Sequence, residues 1–275
     1  MGFPTGPELP PRPDLVGFSS LPKAAGLKGM FGRAPARWSA WEAVGMFLLG
    51  NLVIGQVLVA GVILVAMGVD QVSSAAGTPE LAATLGADVA TVTTIVIWLS
   101  KRYPGWVDVL GLPAKGERIK ELVYGIVAGP VVYIGVAFVV AGILSIVLGL
   151  VSGRHATSPA QIDAQDLSVV GQILTVIVAV LVAPVTEELM FRGVLFRAIR
   201  DRRGFWWGAS LSAVLFGLVH FVPAPWQDSV LLQASMVFTG LALAWIYERR
   251  GNLLACIFTH MTFNAIGVVL ILTLR

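Results

Sequence analysis

The sequence predicts an all-α membrane protein, a polytopic bundle of about seven transmembrane helices with its amino terminus in the cytoplasm. Of its 275 residues, 56% are hydrophobic and only 13% are charged, whereas soluble domains carry roughly a quarter charged residues. The deciding observation is that the apolar residues form runs of about twenty, the length that crosses the hydrocarbon core of a bilayer. The expected location is therefore the cell membrane, with lipid as the surrounding partner.

The chain divides into a tail and one helical domain. Residues 1–38 contain seven prolines and no apolar run long enough for a signal peptide, which predicts a proline-rich cytoplasmic tail. Residues 39–275 form a transmembrane helical domain without an internal repeat. The spans expected within it cover residues 42–67, 81–100, 121–150, 169–196, 207–222, 229–247 and 253–273.

The distribution of basic residues supports seven spans. Of the 19 lysines and arginines, sixteen fall on alternating loops of one side, two (Arg154 and Arg275) fall on the other, and Arg192 lies within a span. Cytoplasmic loops carry the excess of basic residues, so the amino terminus is predicted inside and the carboxyl terminus outside. The net charge of +3 then reports topology, and no nucleic-acid partner is expected.

The fourth span contains three ionisable side chains, Glu187, Glu188 and Arg192. Each charge near the middle of a bilayer costs roughly 3 kcal/mol. Glu188 and Arg192 are four residues apart and share a helix face, which predicts a structural ion pair. Glu187 points about 100° away from Glu188 and needs another partner or a proton. An intramembrane carboxylate without a partner is a candidate for function.

Two histidines in other spans are candidate partners for Glu187. His220 follows Phe216 by four residues in the fifth span, and His260 precedes Asn264 by four in the seventh. The second spacing places an imidazole and an amide on one helix face. Two histidines, an asparagine and a spare glutamate on neighbouring spans indicate a site rather than isolated core residues.

The expected depths agree only in part. At 1.5 Å per residue, Glu187 would lie roughly 14 Å from the cytoplasmic end of its span and His260 roughly 10 Å, but His220 nearer 20 Å. A tilt of the fifth span, or a later start, would be needed to bring His220 level with Glu187.

These groups can support hydrolysis in two ways. A buried carboxylate can take a proton from water that a histidine holds in place, and His260 and Asn264 can donate hydrogen bonds to an oxyanion. Alternatively, Glu187, His220 and His260 are legitimate zinc ligands, although the chain contains no H-E-x-x-H pattern. No serine or cysteine stands in a G-x-S-x-G setting, so a covalent nucleophile is not indicated. The residues alone therefore do not decide whether a glutamate or a zinc ion activates the water.

Three motifs in these spans resemble those of the CPBP family, the CAAX prenyl endopeptidase-like intramembrane proteases, which include CAAX proteases and bacteriocin-processing enzymes. The resemblance covers a protease-like core of about residues 169–270. The motifs in this chain are Glu187-Glu188-x-x-x-Arg192, Phe216-x-x-x-His220 and His260-x-x-x-Asn264. Each is short, but all three in order, each inside an apolar span, make a specific pattern.

The resemblance implies an intramembrane endopeptidase that hydrolyses a peptide bond in a membrane-associated peptide or protein, with prenylated and leader-type peptides as candidates. By that resemblance, Glu187 would be the general base that activates water together with His220. His260 and Asn264 would stabilise the oxyanion.

By the same resemblance, Glu188 and Arg192 would support the catalytic groups. The better-understood relatives favour a glutamate mechanism without a cofactor. Zinc held by Glu187, His220 and His260 stays open, because the family has been described in both ways.

Two other functions fit the same residues. A non-catalytic membrane scaffold or immunity protein would keep them as structural contacts between helices. A proton-coupled transporter would use Glu187 and Asp88, in the second span, as a relay, although transporters of this kind show repeated or broken spans that the sequence lacks. The substrate is not readable from the sequence.

Overall fold

The fold is a bundle of membrane-length helices. The computed structural model describes residues 35–68, 77–113, 115–159 and 167–273, and within these ranges it contains no β-strand. Six of the described helices are long and apolar enough to span a membrane, and a seventh apolar helix is shorter. The predicted all-α, multi-pass membrane protein is thus confirmed. Most of the proline-rich tail lies outside the described residues, and the sidedness of the termini stays a prediction.

The main helices of the described residues are numbered α1 to α8 in chain order. They are α1 (Ala40–Ala66), α2 (Thr78–Arg102), the short α3 (Trp106–Leu110), α4 (Arg118–Ile134, Gly135–Val140 and Ala141–Ser152), α5 (Val169–Arg203), α6 (Phe205–Val219), α7 (Trp226–Arg250) and α8 (Leu253–Thr273).

Local sequence sets several helix ends. Ser39 begins α1 with a capping box, because the Glu42 amide donates to its hydroxyl (3.1 Å) while its own amide donates to the Glu42 carboxylate (2.8 Å). At the end of the bundle rich in basic residues, single glycines with positive φ follow α5 (Gly204, 88°) and α7 (Gly251, 66°). Glycine adopts this conformation without steric cost, so neighbouring helices reverse direction through very short turns.

Helix α5 changes from α-helical to π-helical hydrogen bonding at Glu187 and Glu188. The segment Ala183–Glu187 is α-helical, but it lies between two wider π-helical segments, Val176–Val182 and Glu188–Phe196. Pro184 stands at the start of the α-helical segment and cannot donate a backbone hydrogen bond. Glu187 and Glu188 therefore lie on either side of a change in helical hydrogen bonding, a feature that is frequent at functional sites.

The span predicted over residues 207–222 is wrong in its extent. Helix α6 runs over Phe205–Val219, and its 15 residues rise roughly 22 Å, less than the roughly 30 Å hydrocarbon core. His220 leaves the helical conformation, and Pro223 and Pro225 follow, which cannot continue a helix. The fifth apolar segment therefore ends short of a full crossing.

The helix that carries the fourth predicted span, 169–196, continues to Arg203. Glu187 then lies roughly 24 Å along α5 from Arg203, and His220 roughly 22 Å along α6 from Phe205. The longer α5 brings His220 level with Glu187 without a special tilt of α6, whereas His260 lies only roughly 10 Å along α8 from Leu253.

Ion pairs connect the helices at this basic end. Arg200 of α5 binds Glu248 of α7 through two hydrogen bonds of 2.9 and 2.5 Å. Arg250 of α7 binds Glu121 of α4 in the same two-point manner, at 3.1 and 2.6 Å. The fully buried Trp38, ahead of α1, donates its indole N–H to the Val194 carbonyl of α5 (2.9 Å). Several residues that the sequence assigns to loops thus hold the bundle together.

Helices α4 and α8 pack at backbone distance through two glycines, a contact that the sequence analysis missed. A Cβ atom on Gly125 would lie 2.3 Å from the Phe258 Cβ atom, and one on Gly129 would lie 2.5 Å from the Thr262 Cβ atom. The spacing is the G-x-x-x-G pattern through which membrane helices approach closely, and it could have been read from the sequence. Helix α8, which carries His260, is held by this seam.

We expect Gly125→Ala to destabilise the protein by about 1–3 kcal/mol, because the added methyl group forces α4 and α8 apart. Thermal unfolding of the purified protein in detergent measures the effect. Gly135→Ala is the matched control in α4, since nothing lies within 4 Å of its added Cβ atom. Equal melting temperatures for the two variants would contradict the close packing of this seam.

Candidate active site

Three of the predicted site residues meet between helices α5, α6 and α8. Glu187 Oε1 lies 3.9 Å from His220 Nε2, and Glu187 Oε2 lies 3.7 Å from His260 Nε2. Both distances are longer than a direct hydrogen bond. The Glu187 side chain is 23% exposed, whereas those of His220 and His260 are 14% and 4% exposed. The carboxylate is therefore the most accessible group of the cluster.

The orientation of His220 is fixed by the backbone of its own helix. Its Nδ1 lies 2.6 Å from the Phe216 carbonyl oxygen. Because a carbonyl only accepts hydrogen bonds, Nδ1 carries the hydrogen, and in the neutral ring the lone pair is on Nε2. The buried Phe216 ring packs on the imidazole, with 4.6 Å between centroids. The F-x-x-x-H spacing thus places an accepting nitrogen toward Glu187.

His260 is oriented by the second glutamate. Its Nδ1 lies 2.9 Å from Glu188 Oε1, and both side chains are buried. The carboxylate accepts this hydrogen bond, so Nδ1 is the donor and Nε2 turns toward Glu187. Each histidine is therefore held through Nδ1 and presents Nε2 to the same carboxylate.

The ion pair predicted from the spacing of Glu188 and Arg192 is confirmed. Their side chains lie 2.9 Å apart and both are fully buried. Arg192 also donates to the Gly240 carbonyl of α7 (3.1 Å) and covers the Phe216 ring at 4.5 Å from its centroid. Gly240 could not be identified from the sequence, because it binds Arg192 through its backbone carbonyl, a group that every residue has.

Asn264 is anchored to helix α5. Its amide nitrogen donates to the Ala179 carbonyl at 2.8 Å, within the π-helical segment Val176–Val182. One amide hydrogen is thereby engaged, and the second stays available to another acceptor. Asn264 and His260 lie one turn apart on α8, as the spacing predicts.

The zinc site that the sequence left open, with Glu187, His220 and His260 as ligands, stays a prediction. Within the described ranges, no three His, Cys, Asp or Glu side chains are arranged to hold a metal ion. Nδ1 of each histidine is engaged by a protein acceptor, an arrangement that metal-binding histidines also show. The ring atom Nε2, which faces Glu187, would be the ligand to such an ion.

We expect Arg192→Ala to lower the free energy of unfolding by about 3–5 kcal/mol, because it leaves the Glu188 charge buried without a counter-ion. Arg192→Lys should rescue only part of this loss, since one ammonium group cannot reproduce the planar two-sided contact with Glu188 and Gly240. Thermal unfolding in detergent, with the exposed Arg203→Ala as control, measures both. If the Arg192→Ala protein were as stable as the control, the ion pair with Glu188 would not contribute to the stability of the fold.

The same region is similar to known proteins. Residues 169–266 match the model of the Rce1-like type II CAAX prenyl endopeptidases. A protein of Bacillus subtilis (strain 168) named "Putative membrane peptidase YdiL" is 32% identical over 97 residues, which cover 35% of this chain and 37% of that protein. An Escherichia coli protein named "Uncharacterized 24.3 kDa protein" is 27% identical over 150 residues, 52% of this chain and 67% of that protein.

A third relative, "UPF0177 protein YxdF" of Lactococcus lactis subsp. lactis (strain IL1403), is 30% identical over 87 residues, 32% of this chain and 44% of that protein. The chain thus spans well under half the length of the Bacillus and Lactococcus relatives. No solved structure matches it significantly. All three motifs lie inside the matched region, so the resemblance found in the sequence is confirmed: residues 169–266 are similar to the Rce1-like type II CAAX prenyl endopeptidases.

Proposed function

We propose that this protein is an intramembrane endopeptidase in which Glu187 activates water for attack on a peptide bond. The observation that carries the proposal is the position of Glu187. It is a partly exposed carboxylate in a membrane helix, and the Nε2 atoms of His220 and His260 face it at 3.9 and 3.7 Å. The match of this region to a family of endopeptidases supports the same reaction class.

The first step uses Glu187 and His220. Their separation is too long for a direct hydrogen bond but suits a bridging water. Such a water donates one hydrogen to Glu187 Oε1 and the other to His220 Nε2, which is the accepting nitrogen. Glu187 takes the proton as the water oxygen bonds to the carbonyl carbon, and the π-electron pair moves to the carbonyl oxygen. The proton on Glu187 then passes to the amide nitrogen as the C–N bond breaks.

The oxyanion formed in this step needs hydrogen-bond donors already in position. We assign them to His260 Nε2 and the second amide hydrogen of Asn264, whose first hydrogen is held by Ala179. Because Nδ1 of His260 already donates to Glu188, a donating Nε2 requires the doubly protonated ring. Glu188 is the counter-ion of that ring.

Glu188 and Arg192 act as positioning residues in this scheme. Arg192 holds one oxygen of Glu188 at 2.9 Å, and the same oxygen holds His260 Nδ1 at 2.9 Å. A shift of either residue would change the direction in which His260 Nε2 points. Their effect on the reaction is therefore indirect.

The proposed substrate is a membrane-associated peptide, with prenylated and leader-type peptides as the candidates to test first. The family match names CAAX prenyl endopeptidases, and one relative is named for peptidase activity. The bundle around the site is apolar on its outer surface, so a substrate with an apolar or lipidated segment can approach through the bilayer.

Replacing Glu187 or His220 by alanine should lower the rate of peptide cleavage by about 10²–10⁴-fold, the usual contribution of a general base or its partner. Cleavage of a peptide library by the protein in liposomes, read by mass spectrometry, measures the effect. The exposed Glu117→Ala is the matched carboxylate control, and thermal unfolding checks that each variant folds. Unchanged cleavage by either variant would refute its assigned role, and no cleavage by the unaltered protein would favour a non-catalytic scaffold.

We also expect the cleavage rate to be unchanged by a strong chelator, because Glu187 performs the activation of water without a metal. The assay compares the protein before and after extended treatment with the chelator, and elemental analysis of the purified protein measures bound zinc. Loss of activity that is restored by added zinc would overturn the glutamate mechanism in favour of a metalloprotease.

A further inference from the structure

Asp88 is a buried carboxylate that the proposed reaction does not use. It lies in the middle of α2 and is 7% exposed. Within the described residues, its Oδ2 atom is buried and has no hydrogen-bond partner. Ionisable side chains inside a membrane are costly, and buried polar atoms are nearly always hydrogen-bonded. The described residues thus supply no hydrogen-bond partner for Oδ2 of Asp88.

The side chain of Asp88 faces α5 rather than α1. Its neighbours Ala87 and Thr91 face α1, because a Cβ atom on Gly55 would lie 3.0 Å from the Ala87 carbonyl oxygen and 2.8 Å from the Thr91 hydroxyl. Asp88 points about 100° away from Ala87 around the helix. On that side lies Thr186 of α5, whose hydroxyl interacts electrostatically with the Asp88 carboxylate.

This position is one residue from the proposed base. Thr186 immediately precedes Glu187, so Asp88 lies across the α2–α5 contact from the site. The Thr186 hydroxyl does not satisfy this carboxylate, because it donates its one hydrogen to the Val182 carbonyl at 3.2 Å. Among the described residues, the acceptor Oδ2 of Asp88 therefore has no donor.

We propose that Asp88 binds the substrate, its free oxygen accepting a hydrogen bond from a main-chain N–H of the peptide near the scissile bond. This inference rests on the proposed endopeptidase function. A peptide that leaves water must have its N–H groups satisfied by other acceptors, and a carboxylate forms the stronger, charge-assisted kind of hydrogen bond. The relay that the sequence suggested for Glu187 and Asp88 becomes, in this view, a pair with separate tasks: Glu187 activates water and Asp88 holds the peptide.

Kinetics of substituted proteins give the first test. Asp88→Ala should raise KM about ten- to hundredfold, the value of a hydrogen bond to a charged group, while kcat stays close to that of the unaltered protein. Asp88→Asn, which keeps a neutral acceptor oxygen, should restore part of the KM. Thr94→Ala is the control in α2, because Thr94 bonds only to the Ala90 carbonyl of its own helix among the described residues and faces Gly50 of α1.

Peptides in which one amide is replaced by an ester give the second test, since an ester lacks the N–H. One ester position should lower kcat/KM about tenfold with the unaltered protein and have no further effect with Asp88→Ala. If every ester substitution lowered kcat/KM by the same factor in the Asp88→Ala protein as in the unaltered protein, the proposal for Asp88 would be overturned. A fall in kcat with unchanged KM in Asp88→Ala would overturn it as well. Neither result would contradict the endopeptidase function. A purely structural role would lower thermal stability without this coupling, which also overturns the proposal for Asp88. Absence of cleavage by the unaltered protein would refute both proposals.

Discussion

The buried ion pair between Glu188 and Arg192 is the interaction on which the rest of the site depends. Neither charge could stay in the bundle without the other, because an unpaired charge in a bilayer is costly. The pair also reaches beyond α5. Glu188 holds His260 of α8, and Arg192 holds the Gly240 carbonyl of α7 while covering Phe216 of α6. Four helices thus meet around one guanidinium group, which fixes their relative positions near Glu187.

Two adjacent glutamates have different tasks because a helix points them in different directions. Glu188 is fully buried and bonded to a cation and an imidazole. Glu187 keeps 23% of its side chain exposed, and no described group lies within hydrogen-bonding distance of its buried Oε2. Glu188 uses one oxygen, Oε1, to bind both Arg192 and His260, while Glu187 makes no such bonds and is available to water. The Glu-Glu pattern therefore joins a structural anchor and a reactive group without any intervening residue.

The sequence predicts the features that depend on side-chain periodicity, and misses those that depend on backbone or boundaries. Four-residue spacing predicted the Glu188–Arg192 pair, and out-of-place polar groups identified Glu187, His220 and His260. The early end of α6 was missed, because apolar residues continue past its last turn. The Gly240 carbonyl was missed for a different reason, since a backbone acceptor has no residue type of its own. The orientation of Asp88 toward α5 depends on which face α1 covers, which only packing determines.

The relative positions of the site residues also depend on contacts between helices that involve no polar side chain of the site. Membrane helices are not driven together by the hydrophobic effect, so close contact between small residues sets their separation. Gly129 of α4 would, with a Cβ atom, lie 3.0 Å from the Thr259 carbonyl oxygen, and the next residue along α8 is His260. A displacement of α8 by a fraction of an ångström would therefore be transmitted to the His260–Glu188 bond. The contact of Gly125 and Gly129 with α8, although it contains no polar side chain of the site, thus helps to set the position from which His260 Nε2 faces Glu187.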